Sequence, residues 1–215
     1  MVSSKLNFAP APVAAPADAD RALTALLRKV KACTLCAEHL PLGPRPVVRG
    51  RISARLLIVS QAPGTKVHET GISFNDRSGD RLRDWLGIDR AVFYDESRVV
   101  VLGMGFCYPG RLPQGGDQPP RPECAPQWHA KLRAHWPRVG LTLLVGSYAI
   151  DYYLGERRLR TMTETVTAWR DYLPDYLPMP HPSWRTTAWE RHNPWFAAEL
   201  LPELRRRVAA LLIAD

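Results

Sequence analysis

The chain has 215 residues, and its 29 lysines and arginines against 21 aspartates and glutamates give a formal net charge of +8. Hydrophobic residues make up 46%, which excludes a disordered or fibrous chain and suffices for the core of one domain. No apolar run approaches about 18 residues, so no membrane span is predicted. No secretory signal is recognisable either, and a cytoplasmic protein is expected. The positive charge favours an acidic partner, of which nucleic acid is the commonest.

The N-terminal segment is rich in alanine and proline. Residues 9–19 read APAPVAAPADA, which predicts a flexible leader over residues 1–19 and a folded domain over residues 20–215. Asp18 or Asp20 can cap a first helix, whose apolar residues recur at helical spacing.

Short apolar runs alternate with helical patterns along the rest of the chain. The runs at 54–60, 98–103, 141–146 and 176–180 predict strands, and helices are predicted at 80–86, 123–136, 147–155 and about 195–213. This alternation predicts an α/β fold, a single three-layer domain with a central, mainly parallel four-stranded sheet flanked by helices. Because such sheets bind ligands beyond the carboxyl ends of their strands, the loops after the four runs are the expected functional loops.

Four cysteines stand in a suggestive spacing. Cys33 and Cys36 form a C-x2-C pair, Cys107 follows after 70 residues, and Cys124 after a further 16. Disulfides are disfavoured in a reducing cytosol. The spacing fits an iron–sulfur cluster held by four thiolates, with zinc or unrelated buried cysteines as the alternatives.

Two of the expected functional loops have unusual compositions. The first reads S-Q-A-P-G at 60–64 and continues with T-G-I-S-F at 70–74, and the last reads H-P-S-W-R at 181–185. Taken singly, the first is a Pro-Gly turn and the second a turn with a partly buried histidine.

Together, these motifs resemble those of the uracil-DNA glycosylase superfamily. The similarity is closest to the branch of thermophiles and many bacteria that carries a four-iron four-sulfur (4Fe-4S) cluster. That branch has the patterns G-E-A-P-G, T-G-x-P-F, L-G-x-x-A and H-P-S or H-P-A in this order, and V-G-S-Y-A at 145–149 matches the third. Its cluster cysteines follow the spacing of Cys33, Cys36, Cys107 and Cys124. The resemblance extends over about residues 30–205.

The resemblance implies a DNA glycosylase of base-excision repair, which would hydrolyse the N-glycosidic bond of a flipped uracil or another deaminated or damaged base. It implies that Phe74 stacks on the base, and that His181 donates a hydrogen bond to the departing base. Ala62, Pro63 and Gly64 would form the pocket wall. A DNA-binding loop would comprise Ser183, Trp184 and Arg185, although Trp184 is alternatively a core aromatic packed on the final helix.

The chain also departs from the family pattern. Gln61 occupies the position of the water-activating carboxylate, and an amide orients water without accepting its proton. Gly103 occupies the position of the asparagine that reads the pyrimidine edge. The catalytic base must therefore come from elsewhere, and His68, Glu69 and Asp76 are the nearby candidates; histidine is the residue type suited to proton transfer at physiological pH.

These departures leave two other functions open, a catalytically weak or inactive nucleic-acid-binding protein on the same fold and a zinc-stabilised hydrolase. Under the favoured interpretation the protein acts on DNA as a monomer, away from membranes. Arg77, Arg81 and Arg83 are expected to flank the DNA groove, whereas the arginines at 205–207 are expected to form a solvated helix face.

Overall fold

The first helix begins earlier than its capping aspartates suggest. A computed structural model describes residues 16–213, so most of the predicted leader, residues 1–15, lies outside the described residues. Helix α1 spans Pro16–Lys31, and residues 16–19, predicted as leader, form its first turn. Proline is tolerated in the first turn of a helix, and the alanines beside it favour helix formation.

The central sheet is parallel throughout, which confirms the predicted α/β fold. Its strand order is β2-β1-β3-β4. Every residue of the first three strands is buried, as expected for apolar runs covered on both faces. The strands span Leu56–Ser60 (β1), Val99–Gly103 (β2), Leu141–Val145 (β3) and Tyr176–Met179 (β4).

The register of the sheet aligns the carboxyl ends of its strands. Ser60, the last residue of β1, pairs with Gly103, the last residue of β2. Val145 at the end of β3 pairs with Met179 at the end of β4. The loops that follow these strands therefore leave the sheet at one common edge.

Helices connect the strands and flank the sheet. Four of them, α2, α4, α7 and α8, have only five to seven residues and lie where the sequence predicts loops, because one or two turns show no readable periodicity. Within residues 16–213 no helix is long and apolar enough to cross a membrane. The helices after α1 are Thr65–Thr70 (α2), Arg77–Leu86 (α3), Arg90–Tyr94 (α4), Cys124–Arg133 (α5), Ser147–Leu154 (α6), Met162–Thr167 (α7), Thr186–His192 (α8) and Leu201–Ile213 (α9), with a π-helical turn at Phe196–Leu200 before α9.

Candidate functional site

A cleft of about 540 Å³ opens at the carboxyl edge of the sheet. Its walls come from the loops after β1, β2 and β4 and from the segment before α3. Ten of the residues predicted for catalysis, substrate binding or DNA binding line it: Gln61, Ala62, Pro63, Gly64, Phe74, Gly103, His181, Ser183, Trp184 and Arg185. The two loops that carry Phe74 and His181 thus meet in one cavity.

Phe74 is held in an uncommon backbone conformation. Its φ angle is +55°, a region that residues other than glycine rarely adopt. The Phe74 carbonyl accepts a hydrogen bond from the hydroxyl of Tyr94 at 3.1 Å, and its ring meets that of Phe93 edge-on, with 6.0 Å between centroids. Gly79 permits this arrangement, because a Cβ there would lie 1.7 Å from the Phe74 carbonyl oxygen. The aromatic wall of the cleft is therefore rigidly mounted.

His181 presents a half-buried imidazole to the cleft. Burial lowers its pKa, and the carboxylate of Asp76 opposes this shift only in part, so the ring is neutral at neutral pH. Within residues 16–213 neither ring nitrogen has a hydrogen-bond partner. The backbone is held, since the His181 carbonyl accepts from the N–H of Ser183 at 2.8 Å and from the hydroxyl of Thr186. A neutral, fixed imidazole can donate to a bound ligand.

Gly103 has no room for a side chain. A Cβ at this position would lie 2.5 Å from the carbonyl oxygen of Gly105, so the backbone excludes an asparagine here. The Gly103 carbonyl is 2.9 Å from Nε2 of the buried His129, whose Nδ1 is 2.9 Å from the hydroxyl of Tyr153. Burial lowers the pKa of His129 to about 4. The neutral ring therefore donates to Gly103 and accepts from Tyr153.

The loop after β4 carries an exposed aromatic at the mouth of the cleft. The side chain of Trp184 is 78% exposed, so the alternative of a core aromatic is wrong. The guanidinium carbon of Arg185 lies over the Trp184 ring, 5.6 Å from its centroid. Arg81 anchors this loop, because it donates to the carbonyl of Ser183 at 2.7 Å and pairs with Glu190.

Two predictions about the surroundings of the cleft need correction. His68 does not line it: α2 turns the imidazole against Tyr108, at 6.0 Å between centroids, and its Nδ1 is buried without a hydrogen-bond partner among the described residues. This placement does not support a catalytic role for His68. Of the three arginines expected at the DNA groove, Arg83 is buried and pairs with Asp80, and Arg81 is engaged as an anchor.

Part of one wall of the cleft comes from a loop that its sequence does not single out. Residues 111–117 form a loop closed by an antiparallel bridge between Arg111 and Asp117, and both of these residues line the cleft. Asp76, named from the sequence as a candidate base, faces it too. Glycines and prolines dominate the segment 109–120, and this composition predicts a loop without indicating where it folds.

The four cysteines line a second, smaller cavity. All are free thiols, and Cys124 Sγ accepts the N–H of Phe106 at 3.4 Å. Burial raises the pKa of Cys107 to about 11 and that of Cys124 to about 12. In the described part of the chain, however, no group of three or more histidine, cysteine, aspartate or glutamate side chains is arranged to hold a metal ion.

The fold and the cleft define an α/β protein with a cavity at the carboxyl edge of its sheet, lined by an aromatic ring, an imidazole and an exposed tryptophan. A comparison with protein families agrees with this description. The model of the Uracil DNA glycosylase superfamily matches residues 47–205, most of the chain. The protein belongs to this superfamily, and its function is DNA glycosylase-like.

Proposed function

We propose that the protein is a monofunctional DNA glycosylase of base-excision repair that hydrolyses the N-glycosidic bond of a deaminated or damaged base. The observation that carries this proposal is the convergence of Phe74 and His181, from distant loops, on one cleft. Extruding a nucleotide from a duplex costs a few kcal/mol, so the base needs a stacking surface and hydrogen bonds that hold it outside the helix.

The cleft residues have distinct roles in this reaction. Phe74 provides the stacking surface. His181 donates a hydrogen bond to the departing base and stabilises the negative charge that develops when the C–N bond breaks. Gln61 orients the attacking water, and residues 62–64 form the wall beside it. Gly103 offers only backbone to the base, so the pyrimidine-reading amide of the family pattern has no equivalent there.

The exposed loop after β4 contacts the DNA. Trp184 is large and apolar enough to fill the space that a flipped base leaves in the stack, and Arg185 beside it binds a phosphate. Ser183 completes the loop, whose backbone Arg81 holds in place. The net charge of +8 supports DNA as the partner.

Cys33, Cys36, Cys107 and Cys124 are the ligands of a 4Fe-4S cluster in this proposal. Four thiols around one cavity are the donor set that such a cluster requires, and a backbone N–H directed at Cys124 is typical of cluster surroundings. When bound, the cluster supplies a cross-link between the end of α1, the loop after β2 and the start of α5. Purified protein should be brown with an iron and sulfide content that Cys107→Ser abolishes, whereas a colourless zinc protein would refute the assignment.

The proposed activity is tested with duplexes that carry one uracil, hypoxanthine or xanthine. Abasic sites are detected by alkaline strand cleavage under single-turnover conditions. Removal of one such hydrogen-bond donor lowers rates about 10²–10³-fold, and His181→Ala is expected to do so. His192→Ala, at an exposed histidine on α8 outside the cleft, is the matched control and should retain the wild-type rate. A mild effect of His181→Ala would place the chemistry elsewhere.

A second function is supported by the departures in the first motif. Gln61 and Gly103 stand where the family has a carboxylate and an asparagine, which favours a protein that binds altered DNA without cutting it. Binding that persists on duplexes of the same panel, without any abasic product, would establish this alternative. In either case the affinity should fall steeply with salt, because phosphate contacts release counterions.

A further inference from the structure

The cleft contains carboxylates that the loop at 60–64, called the first-motif loop below, does not provide. Hydrolysis of a glycosidic bond requires a group that accepts a proton from the attacking water, and the amide of Gln61 cannot accept it. Two aspartates, Asp76 and Asp117, line the same cleft. The half-buried imidazole of His181, whose ring nitrogens have no hydrogen-bond partner among the described residues, lines this cleft as well.

Asp76 is committed to the backbone of α3. Its Oδ1 accepts the N–H of Gly79 at 2.9 Å and caps the helix. One oxygen of the Asp76 carboxylate is therefore already engaged in holding the first turn of α3.

Asp117 differs from Asp76 because its carboxylate caps no helix. Its carboxylate lies over the first-motif loop, with Oδ2 only 3.3 Å from the position that a Cβ on Gly64 would occupy. Among residues 16–213 it has no hydrogen bond or ion-pair partner. Burial raises its pKa, Asp76 adds to the rise, and Arg111 and Arg185 oppose it. Asp117 is thus an unengaged carboxylate beside the loop that lacks one.

We propose that Asp117 is the general base of the glycosidic hydrolysis, an inference that rests on the function proposed above. Asp117 takes one proton from a water molecule while the water oxygen forms a bond to C1′ of the flipped nucleotide. The bond between C1′ and the base nitrogen breaks, and its electron pair leaves with the base, whose charge His181 stabilises. The departing base takes up a proton, Asp117 returns its proton to solvent, and one water is consumed for each abasic site formed.

The test compares Asp117→Asn with Asp175→Asn in single-turnover cleavage of the duplex that wild-type protein cuts fastest. Asp175 is an exposed aspartate before β4, at the opposite edge of the sheet. General bases typically contribute about 10²–10⁴-fold, so Asp117→Asn should lower the rate at least about 100-fold, with unchanged affinity for the duplex. Asp175→Asn should cleave at the wild-type rate.

The pH profile and a chemical rescue separate a base from a structural residue. The wild-type rate should fall toward acid pH as Asp117 becomes protonated. The other charged or titratable groups that line the cleft are Arg111, Arg185, Asp76 and His181. The rate of Asp117→Asn should not show this fall. Asp117→Ala, checked for an unchanged unfolding temperature, should regain activity when formate is added as an external base. If Asp117→Asn cleaves at nearly the wild-type rate, or if formate leaves Asp117→Ala inactive, this assignment is overturned while the glycosylase function stands. If the wild-type protein cleaves no duplex of the panel, the proposed function itself fails.

Discussion

Gly79 lies in the first turn of α3, where helix propensity and tertiary contacts predict opposite effects of one substitution. Alanine is favoured over glycine in helices by about 0.8–1.0 kcal/mol, so propensity alone predicts that Gly79→Ala stabilises the protein. The structure places the new Cβ 1.7 Å from the carbonyl oxygen of Phe74 and 2.8 Å from its Cβ. Neither neighbour is the end of a flexible side chain, so the backbone of Phe74 or the start of α3 must move.

The cost of this movement exceeds the gain in propensity. Overpacking typically costs about 1–3 kcal/mol, and a shift of α3 also weakens the cap from Asp76 to the N–H of Gly79, worth about 1 kcal/mol. The net expectation for Gly79→Ala is a free energy of unfolding lower by about 1–3 kcal/mol. At about 2–4 °C per kcal/mol for a domain of this size, the unfolding temperature should fall by several degrees.

Thermal and urea unfolding of both proteins measure this difference directly. Arg77→Ala is the matched control, because Arg77 is exposed in the same turn and should change stability by less than about 0.5 kcal/mol. If Gly79→Ala raised the unfolding temperature, the close approach of α3 to Phe74 would not exist in solution, and the rigid mounting of the aromatic wall would be refuted.

Three further predictions follow from the contacts around the cleft. Trp184→Ala should leave the unfolding temperature unchanged, because the side chain is exposed, but should weaken binding to duplex DNA in a fluorescence anisotropy titration; a large loss of stability would contradict its surface position. Arg81→Ala should lower the free energy of unfolding by about 1–3 kcal/mol in urea titrations, because it removes charged hydrogen bonds in a half-buried setting, whereas Arg160→Ala, which breaks the exposed pair with Glu164, should cost less than about 1 kcal/mol. Burial lowers the pKa of His129 to about 4. Between about pH 6.5 and pH 4, His129 is therefore protonated in the unfolded chain and neutral in the folded chain. Stability should therefore fall by up to about 1.4 kcal/mol per pH unit from about pH 6.5 down to pH 4, and a His129→Gln variant with the same slope would show that His129 is not responsible.

The strands were predictable because each is a continuous apolar run buried on both faces. Their predicted bounds differ by one or two residues, since the hydrogen-bond ladder, not the apolar run, decides where a strand ends. The short helices were not predictable, because α2, α4, α7 and α8 contain at most two turns. The position of His68 outside the cleft has the same origin: a segment interpreted as a loop is a helix that directs this side chain toward Tyr108.

Some residues of the cleft were also predictable from the sequence, and others were not. The loops at 60–64 and 181–185 were recognisable from composition, and the rule that parallel strands gather their carboxyl ends at one edge predicts that such loops meet. Asp117 could not be predicted as a cleft residue from the sequence, because its place in the cleft depends on how its Gly/Pro-rich loop packs against Gly64.

The order of residues was thus enough to predict the α/β sheet and to single out the loops at 60–64 and 181–185 and the four cysteines. Only the tertiary structure decided which carboxylate faces the cleft, which arginines are buried as anchors, and that Trp184 is exposed. The physical reason is that apolar patterning acts along the chain, whereas burial, electrostatic surroundings and free hydrogen-bonding groups arise between segments far apart in sequence.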